Sequence, residues 1–148
     1  MKHAAILLFL FIFTAGCGDL APNDATVSGP EDSVSTLSFS ASSSAITYHP
    51  LDFIAKNKAG VVLADIEIEL FRGGIEGEVS LLDKDGNLIA EDSTKGNTNE
   101  RGIRRAGLQL TVPGCTTTTD IKASGSVLAT VGSSSYLWTA TVTRSCTP

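Results

Sequence analysis

The sequence is poor in the residues that most catalytic and metal sites use, since its 148 residues include two histidines, three cysteines and one methionine. Only His49 lies beyond the N-terminal apolar run, which leaves little for a zinc site or for a nucleophile with a histidine base. Basic side chains are also few, with 11 lysines and arginines against 16 acidic residues, which argues against nucleic acid or anionic lipid as a partner. We expect no enzyme activity, no metal and no other cofactor.

Long apolar runs are missing except at the N-terminus, where residues 4–13 carry no charged or polar side chain. This run follows the positively charged Met1-Lys2-His3 and ends at small residues, which is the plan of a secretory signal peptide. It is too short to cross a bilayer, because a membrane-spanning helix needs about 20 apolar residues. The sequence therefore predicts export from the cytoplasm.

The residues Ala15-Gly16-Cys17 at the end of this run resemble the lipobox of bacterial lipoproteins. The resemblance implies cleavage before Cys17, diacylation of its sulfur and attachment to the membrane through two or three acyl chains, which anchor a protein durably. In enteric bacteria, an aspartate directly after the lipidated cysteine favours retention of the lipoprotein in the inner membrane. This chain has Gly18 at that position, so the resemblance implies the outer membrane. The alternative is an ordinary signal peptide that is cut nearby and leaves Cys17 as a free thiol.

Three cysteines are an odd number for an exported protein until Cys17 is assigned to lipid. Cys115 and Cys146 then remain, and an oxidising envelope permits a disulfide between them. A metal site is the competing interpretation, but it would need more soft ligands than two distant cysteines. We therefore predict a bridge between Cys115 and Cys146.

Composition divides the chain into a signal peptide at residues 1–16, a tether at 17–35 and one folded domain at 36–148. The tether range is rich in Pro, Asn, Asp, Ser, Gly and Thr and has no aromatic residue, which favours a flexible spacer. Val34, Leu37 and Phe39 leave open that a first strand begins near the end of this range.

From Thr36 onward apolar residues alternate with polar ones at period two, which is the period of a half-buried strand. In the clearest case Glu67 and Glu69 alternate with three aliphatic residues. Comparable stretches lie at residues 36–41, 51–55, 66–70, 79–82, 88–90, 108–112, 121–131 and 136–142. Their short spacing predicts an all-β antiparallel sandwich of about seven to eight strands.

Two turn motifs resemble the bacterial Ig-like domains of intimin- and invasin-type surface proteins. In residues 55–68 a strand ends at Asn57, a turn ends at Gly60 and an alternating strand follows. The second motif is Thr98-Asn99-Glu100-Arg101-Gly102, and asparagine stands in both where that family usually has aspartate. The resemblance implies an Ig-like sandwich without catalytic residues. The same turns occur in transthyretin-like and carboxypeptidase-regulatory sandwiches, which are the alternative topology.

Few side chains are candidates for ligand contact. Trp138 shares a strand face with Tyr136, so the two form either a sugar-stacking platform or part of the core beside the disulfide. Arg101, Arg104 and Arg105 are the one basic cluster, which either binds an acidic glycan or lipid phosphate or is a solvated loop. We take Trp138, Arg104 and Arg105 as the candidate ligand contacts.

Other polar clusters have structural explanations. Asp83-Lys84-Asp85-Gly86-Asn87 resembles a calcium loop superficially, but hairpin turn chemistry explains it better. Glu67, Glu69 and Glu91-Asp92 are expected to be solvated carboxylates rather than acid/base pairs. The hydroxyl-rich loops at 116–119 and 133–135 have no histidine base nearby in the sequence.

These patterns predict a non-enzymatic lipoprotein of the outer membrane whose Ig-like domain is a structural or adhesive, protein-binding module at the cell surface. A carbohydrate- or ligand-binding module is the alternative function. The expected partners are the membrane, through the lipid on Cys17, and a protein or surface glycan.

Overall fold

The computed structural model describes residues 21–38, 40–75 and 78–147. Cys17 and Phe39 lie outside these residues, so the predictions about them stay predictions. Ten β-strands and no helix form within the described part. They are β1 (Thr26–Ser28), β2 (Ser33–Leu37), β3 (Ala45–Lys56), β4 (Glu67–Gly73), β5 (Val79–Leu82), β6 (Leu88–Ile89), β7 (Ser93–Asn97), β8 (Ile103–Val112), β9 (Ile121–Val131) and β10 (Ser134–Arg144). Accordingly, no helix of the described residues is long and apolar enough to cross a membrane.

The strands form two five-stranded sheets that pack face to face. The first sheet has the order β1-β3-β8-β5-β6 and the second the order β2-β10-β9-β4-β7. In the immunoglobulin fold, strands A, B, E and D form one sheet and C, F and G the other. Strands β1, β3, β8 and β5 reproduce the first set in chain order and in neighbour order, and β4, β9 and β10 reproduce the second. The protein is therefore an all-β Ig-like sandwich, as the sequence predicts, and this strand order favours that topology over the transthyretin-like alternative.

One pair departs from the predicted antiparallel arrangement, because β2 runs parallel to β10. The chain enters the first sheet through β1, which pairs antiparallel with β3, and then crosses to the second sheet. We call the four residues Gly29-Pro30-Glu31-Asp32 the crossover. Since β2 continues in the direction of β1 after the crossover, it meets β10 in parallel.

The predicted flexible tether at residues 17–35 is wrong for the part that the structure describes. β1 lies within this range, and β2 begins at Ser33. Ala25 and Val27 are buried in the core, with 4% and 7% of their surface exposed. Short edge strands need few apolar side chains, so composition does not distinguish them from a spacer. The sandwich therefore begins ahead of Thr36, the predicted boundary.

The predicted number of about seven to eight strands is too low, since the described residues form ten. The unpredicted strands are β1 and β7, which have short and mostly polar sequences. The predicted strand at 51–55 is the second half of the longer strand β3. The predicted strand at 36–41 is displaced, because β2 ends at Leu37.

The alternating pattern correctly predicts which side chains face the core. In β10, Trp138, Ala140 and Val142 are buried, whereas Leu137 is 57% exposed. In β4, Ile68 and Leu70 are fully buried, whereas Glu67 is exposed and Glu69 is partly exposed. Full burial of a large aliphatic side chain contributes roughly 1.5 to 3 kcal/mol, so these inward rows hold the two sheets together.

Three turns share one geometry, in which an Asx residue comes first and a glycine fourth. The side-chain Oδ1 atoms of Asn57, Asp83 and Asn99 each accept the backbone N–H four residues later, at 3.0, 2.9 and 3.1 Å. The glycines have positive φ angles, with Gly60 at 81°, Gly86 at 85° and Gly102 at 71°. An amide oxygen accepts these bonds as a carboxylate oxygen does, so asparagine at the two resembling motifs still builds the turn.

Candidate functional site

The first candidate surface is the free edge of β3 in the first sheet. Strand β8 pairs with β3 from Ala45 to Ile54, whereas β1 covers the other edge only from Ile54 to Lys56. Within the described residues, no strand pairs with that edge from Ala45 to Phe53. Pro50 has no N–H to offer, so the stretch available to a further strand is residues 45–49, which we call the β3 edge.

Side chains along the β3 edge are apolar on the outside and carry no fixed charge. Ile46 and Tyr48 face outward and are 51% and 63% exposed. His49 is half-buried, with its ring centroid 5.7 Å from that of Trp138 and its Nε2 atom 3.2 Å from the hydroxyl of Thr47. Burial lowers the pKa of His49 below its ordinary value, which favours the neutral ring at pH 7. The edge is therefore uncharged under physiological conditions.

A groove adjoins the β3 edge on the outer face of the first sheet, and we call it the Gly107 groove. Gly107 pairs with Pro50 on one side and with Leu82 on the other, and its missing side chain leaves a hollow between them. Tyr48 and Lys84 complete the walls of this hollow of about 250 Å³. A second hollow of about 500 Å³ continues from it past Pro30, Asp52 and Arg105. The second hollow falls within the range of roughly 300 to 1,000 Å³ for small-ligand sites, and both hollows are open to solvent.

The predicted basic cluster is not one surface. Arg105 faces outward beside the groove, with its Nε atom 3.3 Å from the Oδ1 atom of Asp52 on β3. Arg104 points to the opposite side of the strand, where its guanidinium lies over Gly96 of the other sheet, and burial lowers its pKa. Arg101 is exposed in the turn before β8. Neighbouring strand residues face opposite sides, so Arg104 and Arg105 cannot contact one ligand together.

The aromatic platform does not form, and the alternative of core packing holds for both rings, which also bond to the crossover. Trp138 is 2% exposed, and its indole Nε1 donates a 2.7 Å hydrogen bond to the carbonyl of Glu31. The hydroxyl of Tyr136 donates a bond of the same length to the carbonyl of Pro30. Trp138 does not lie beside the disulfide either, since Cys146 comes eight positions later, beyond the end of β10, which is about 26 Å at roughly 3.3 Å per extended residue. Tyr48 does face outward at 63% exposure, and Phe71 on the other sheet is 36% exposed.

The predicted disulfide is confirmed, because Cys115 and Cys146 are bridged with their Cα atoms 5.6 Å apart. Arg144 is the last residue of β10, lies near this disulfide and is fully buried. Its Nη1 atom donates hydrogen bonds of 2.8 Å to the carbonyls of Ser43 and Pro113. The loop before β3, the loop after β8 and the C-terminal residues are thus held together at one end of the sandwich.

The carboxylates that the sequence singles out bond within a turn or pair with nearby cations. Both oxygens of Asp83 accept hydrogen bonds from its own turn, chiefly from Asn87, and these bonds lower its pKa. Glu67 and Glu69 flank Lys95 at 3.3 and 3.7 Å on the outer face of the second sheet. Asp92 pairs with Arg72. In the part of the chain that the structure describes, no three His, Cys, Asp or Glu side chains group as metal ligands.

Sequence reasoning missed two features of this molecule. Arg144 continues the inward row of β10 after Trp138, Ala140 and Val142, so the period-two pattern carried the signal for a buried arginine. Tyr48 also follows the alternation of β3, but Pro50 suggests that the strand begins only after it. At a sheet edge proline is tolerated, because its missing N–H faces solvent.

Comparisons with known proteins give no sequence family and only distant structural similarities for this chain. No family model matches it, and no curated protein matches it. Among solved structures, PapD-like domain 7 of human CEP192 is similar at 9% identity and a TM-score of 0.41, over 97% of each chain. A family 123 glycoside hydrolase from Clostridium perfringens is similar at 10% identity and a TM-score of 0.46, over 82% of this chain but 27% of the hydrolase. These similarities are too weak to support an argument about function.

Proposed function

We propose that this protein is a non-enzymatic lipoprotein of the outer membrane whose Ig-like domain binds an extended segment of a partner protein along the β3 edge. One observation carries the proposal, namely that the β3 edge is open over five residues in a sheet whose terminal strands β1 and β6 have only three and two residues. An open edge presents main-chain donors and acceptors that pair readily with another strand. Adhesion at the cell surface would follow from this binding together with the anchor on Cys17.

The chemistry of the edge specifies the partner segment. Ile46 and Tyr48 face outward at alternate positions, and the outward side chains of an added strand would lie beside them. Aromatic and β-branched side chains pair well across strands, so the segment is expected to carry apolar residues at every second position. The lack of charge between Ala45 and His49 places no electrostatic demand on the partner.

Crosslinking from the edge tests this proposal directly. A photoreactive phenylalanine analogue replaces Tyr48 in cells, and the matched control places it at Leu137, which is similarly exposed at 57% but lies on the other sheet. We expect a protein adduct from position 48 and none from position 137. Equal adducts from both positions, or none from position 48, would contradict strand addition at this edge. An adduct to a second copy of this chain would identify self-association instead.

One substitution tests the β3 edge separately from the rest of the domain. Ile46→Lys places a charge on the edge, and charged side chains are a common means of preventing strand addition. Because Ile46 is half exposed, the change should alter stability by less than about 1 kcal/mol. We expect the crosslink from position 48 to disappear while the thermal unfolding temperature stays close to that of the unchanged protein.

Carbohydrate binding in the Gly107 groove is the second candidate function, because exposed Tyr48 and Pro50 flank the first hollow, and Arg105 and Asp52 line the second hollow next to it. An aromatic ring beside planar charged groups suits a sugar, which has apolar faces and many hydroxyls. Gly107→Ala narrows the groove, since a Cβ there would lie 3.2 Å from the Leu82 side chain, and it leaves the β3 edge unchanged. Loss of ligand by G107A with retention by I46K would favour the sugar over the peptide.

The lipid anchor has its own test. Palmitate incorporation into the full-length protein should require Cys17, so Cys17→Ala should abolish the labelling and release the protein from membranes. Cys115→Ala is the matched control, because its thiol takes part in the disulfide and should not affect the labelling. Labelling that survives C17A would refute the anchor and leave the proposed binding edge untouched.

A further inference from the structure

The first described residues lie at one end of the sandwich. Ala21 packs against the core, and its Cβ is 3.9 Å from the Cβ position of Gly132 in the turn between β9 and β10. The backbone N–H of Val27 donates to the Ser134 hydroxyl near the same turn. The disulfide lies just beyond the far end of β10, a strand of eleven residues that spans about 36 Å at roughly 3.3 Å per residue. The chain thus enters the domain opposite the disulfide.

The end at which the chain enters also carries an exposed apolar loop. Lys58, in the loop after β3, lies near the entering chain, since its backbone N–H is 3.5 Å from the Oδ2 atom of Asp24. Val61 and Val62 follow the turn at residues 58–60 of this loop, and they are 58% and 43% exposed. We call these two residues the valine tip.

The valine tip is held rigidly. The backbone N–H of Leu63 bonds to the carbonyl of Ala55 at 2.9 Å, and Val62 forms a bridge with Lys56. Thr98, which is 5% exposed, donates from its hydroxyl to the carbonyl of Leu63 at 2.7 Å. Two apolar side chains are therefore displayed on a fixed support.

From these observations we infer that the valine tip rests on the lipid surface and that the disulfide end faces away from the membrane. The inference rests on the proposed lipid at Cys17, which lies four residues before Ala21 and therefore at most about 14 Å from it. A link of that length holds the tip beside the bilayer at high effective concentration, so even a weak contact is populated. Only apolar side chains gain by leaving water there.

Charge neither drives nor prevents this contact. The two loops that meet at this end carry the cations Lys58 and Arg101 and the acids Asp65 and Glu100, and Asp24 lies on the entering chain beside Lys58. Asp65 accepts a 2.7 Å hydrogen bond from the side chain of Asn97. The near balance explains how an acidic protein can place one end against an anionic leaflet. In this orientation Ala45, at the start of the β3 edge, lies toward the disulfide end, so the edge is accessible to a partner.

Depth-dependent quenching tests the orientation. The full-length lipidated protein is reconstituted into phosphatidylethanolamine and phosphatidylglycerol vesicles whose acyl chains carry bromine, which quenches tryptophan on contact. Val61→Trp places the probe at the valine tip, and Ile75→Trp is the matched control, because Ile75 is 65% exposed in the loop after β4, toward the opposite end. Native Trp138 contributes the same buried background to both variants.

We expect bromine to quench the added emission of V61W and to leave that of I75W unchanged. Vesicle flotation in the same samples reports the anchor independently. Flotation together with equal quenching, or with no quenching of V61W, would overturn the orientation and leave the proposed anchor standing. Failure of both variants to float would refute the anchor, and the orientation with it.

Discussion

At the scale of single residues, the buried side chain of Arg144 has a structural role, because it bonds to two loops at the end of the sandwich. It occupies an inward position of β10, where the alternating pattern otherwise places Trp138, Ala140 and Val142. Two carbonyls from neighbouring loops accept its charge-assisted hydrogen bonds, so the side chain ties these loops to the end of β10.

Replacing Arg144 by methionine should test this role. The change keeps much of the volume but leaves the carbonyls of Ser43 and Pro113 without this donor, at a cost of about 1 to 3 kcal/mol for each. We expect urea unfolding to show a loss of about 2 to 5 kcal/mol. Arg105→Met is the control, because its exposed ion pair should contribute less than about 1 kcal/mol. Similar losses in both variants would refute the structural role of Arg144.

His49 should make stability depend on pH. Its pKa in the folded protein is below the ordinary value of 6.5, so the unfolded chain binds more protons as the pH falls through this range. The free energy of unfolding should therefore be unaffected by His49 above pH 7.5 and should decrease as the pH falls through 6.5 toward the folded pKa. Chemical unfolding between pH 7.5 and 5.5 should show a smaller decrease in His49→Phe. An equal decrease in both proteins would rule out His49 as the cause.

At the scale of elements, the crossover explains how a polar segment becomes part of the domain. Tyr136 and Trp138 donate to the carbonyls of Pro30 and Glu31, and the Asp32 side chain accepts the N–H of Thr139 at 2.8 Å. Hydrogen bonds rather than apolar burial therefore hold these residues. A composition rich in Pro, Asp and Ser is compatible with a spacer and with such a crossover alike.

Val27→Ala tests whether the N-terminal segment is a flexible spacer or a packed part of the domain. Val27 is buried at 7% exposure, so its truncation should lower the free energy of unfolding by about 1 to 3 kcal/mol. Val34→Ala is the matched control, because Val34 is 81% exposed in β2 and its truncation should change stability by less than about 0.5 kcal/mol. Denaturant titration measures both values. Two unchanged proteins would mean that the segment behaves as a spacer.

At the scale of the whole molecule, the two ends of the sandwich have different structural supports. Asx turns and Thr98 order the loops where the chain enters, whereas the disulfide and Arg144 order the loops at the far end. Loops at the ends of a sandwich otherwise move more than its strands. Both ends are thus fixed independently of any partner.

Removing the disulfide should destabilise the whole domain. The bridged cysteines are 31 residues apart, for which loop-closure entropy gives about 3 to 4 kcal/mol. We expect Cys115→Ser with Cys146→Ser to lower the free energy of unfolding by about this amount, and the unchanged protein to lose the same amount under reducing conditions. Reductant should have no effect on the doubly substituted protein. Insensitivity of the unchanged protein to reductant would contradict the prediction.

Much of the fold could be predicted because buried and exposed side chains alternate along the strands of a sandwich, so the sequence alternates between apolar and polar residues. The inward rows of β4 and β10 and the turn at Asp83 are therefore readable without coordinates. The candidate surface could not be predicted in the same way. Tyr48 and Arg105 are recognisable as strand residues, but only the pairing of β3 shows that one edge is open and that Gly107 hollows the face between them.

The sequence by itself determined the fold class, the inward faces of the strands and the pairing of Cys115 with Cys146, because each depends on local period or on a count. The tertiary structure alone decided which strands are neighbours, where the domain begins and which aromatic ring is exposed. Those outcomes depend on contacts between distant residues, such as Trp138 with Glu31, that no local pattern contains. The burial of Trp138 and the exposure of Tyr48 follow from those contacts, and they locate the proposed binding surface on β3.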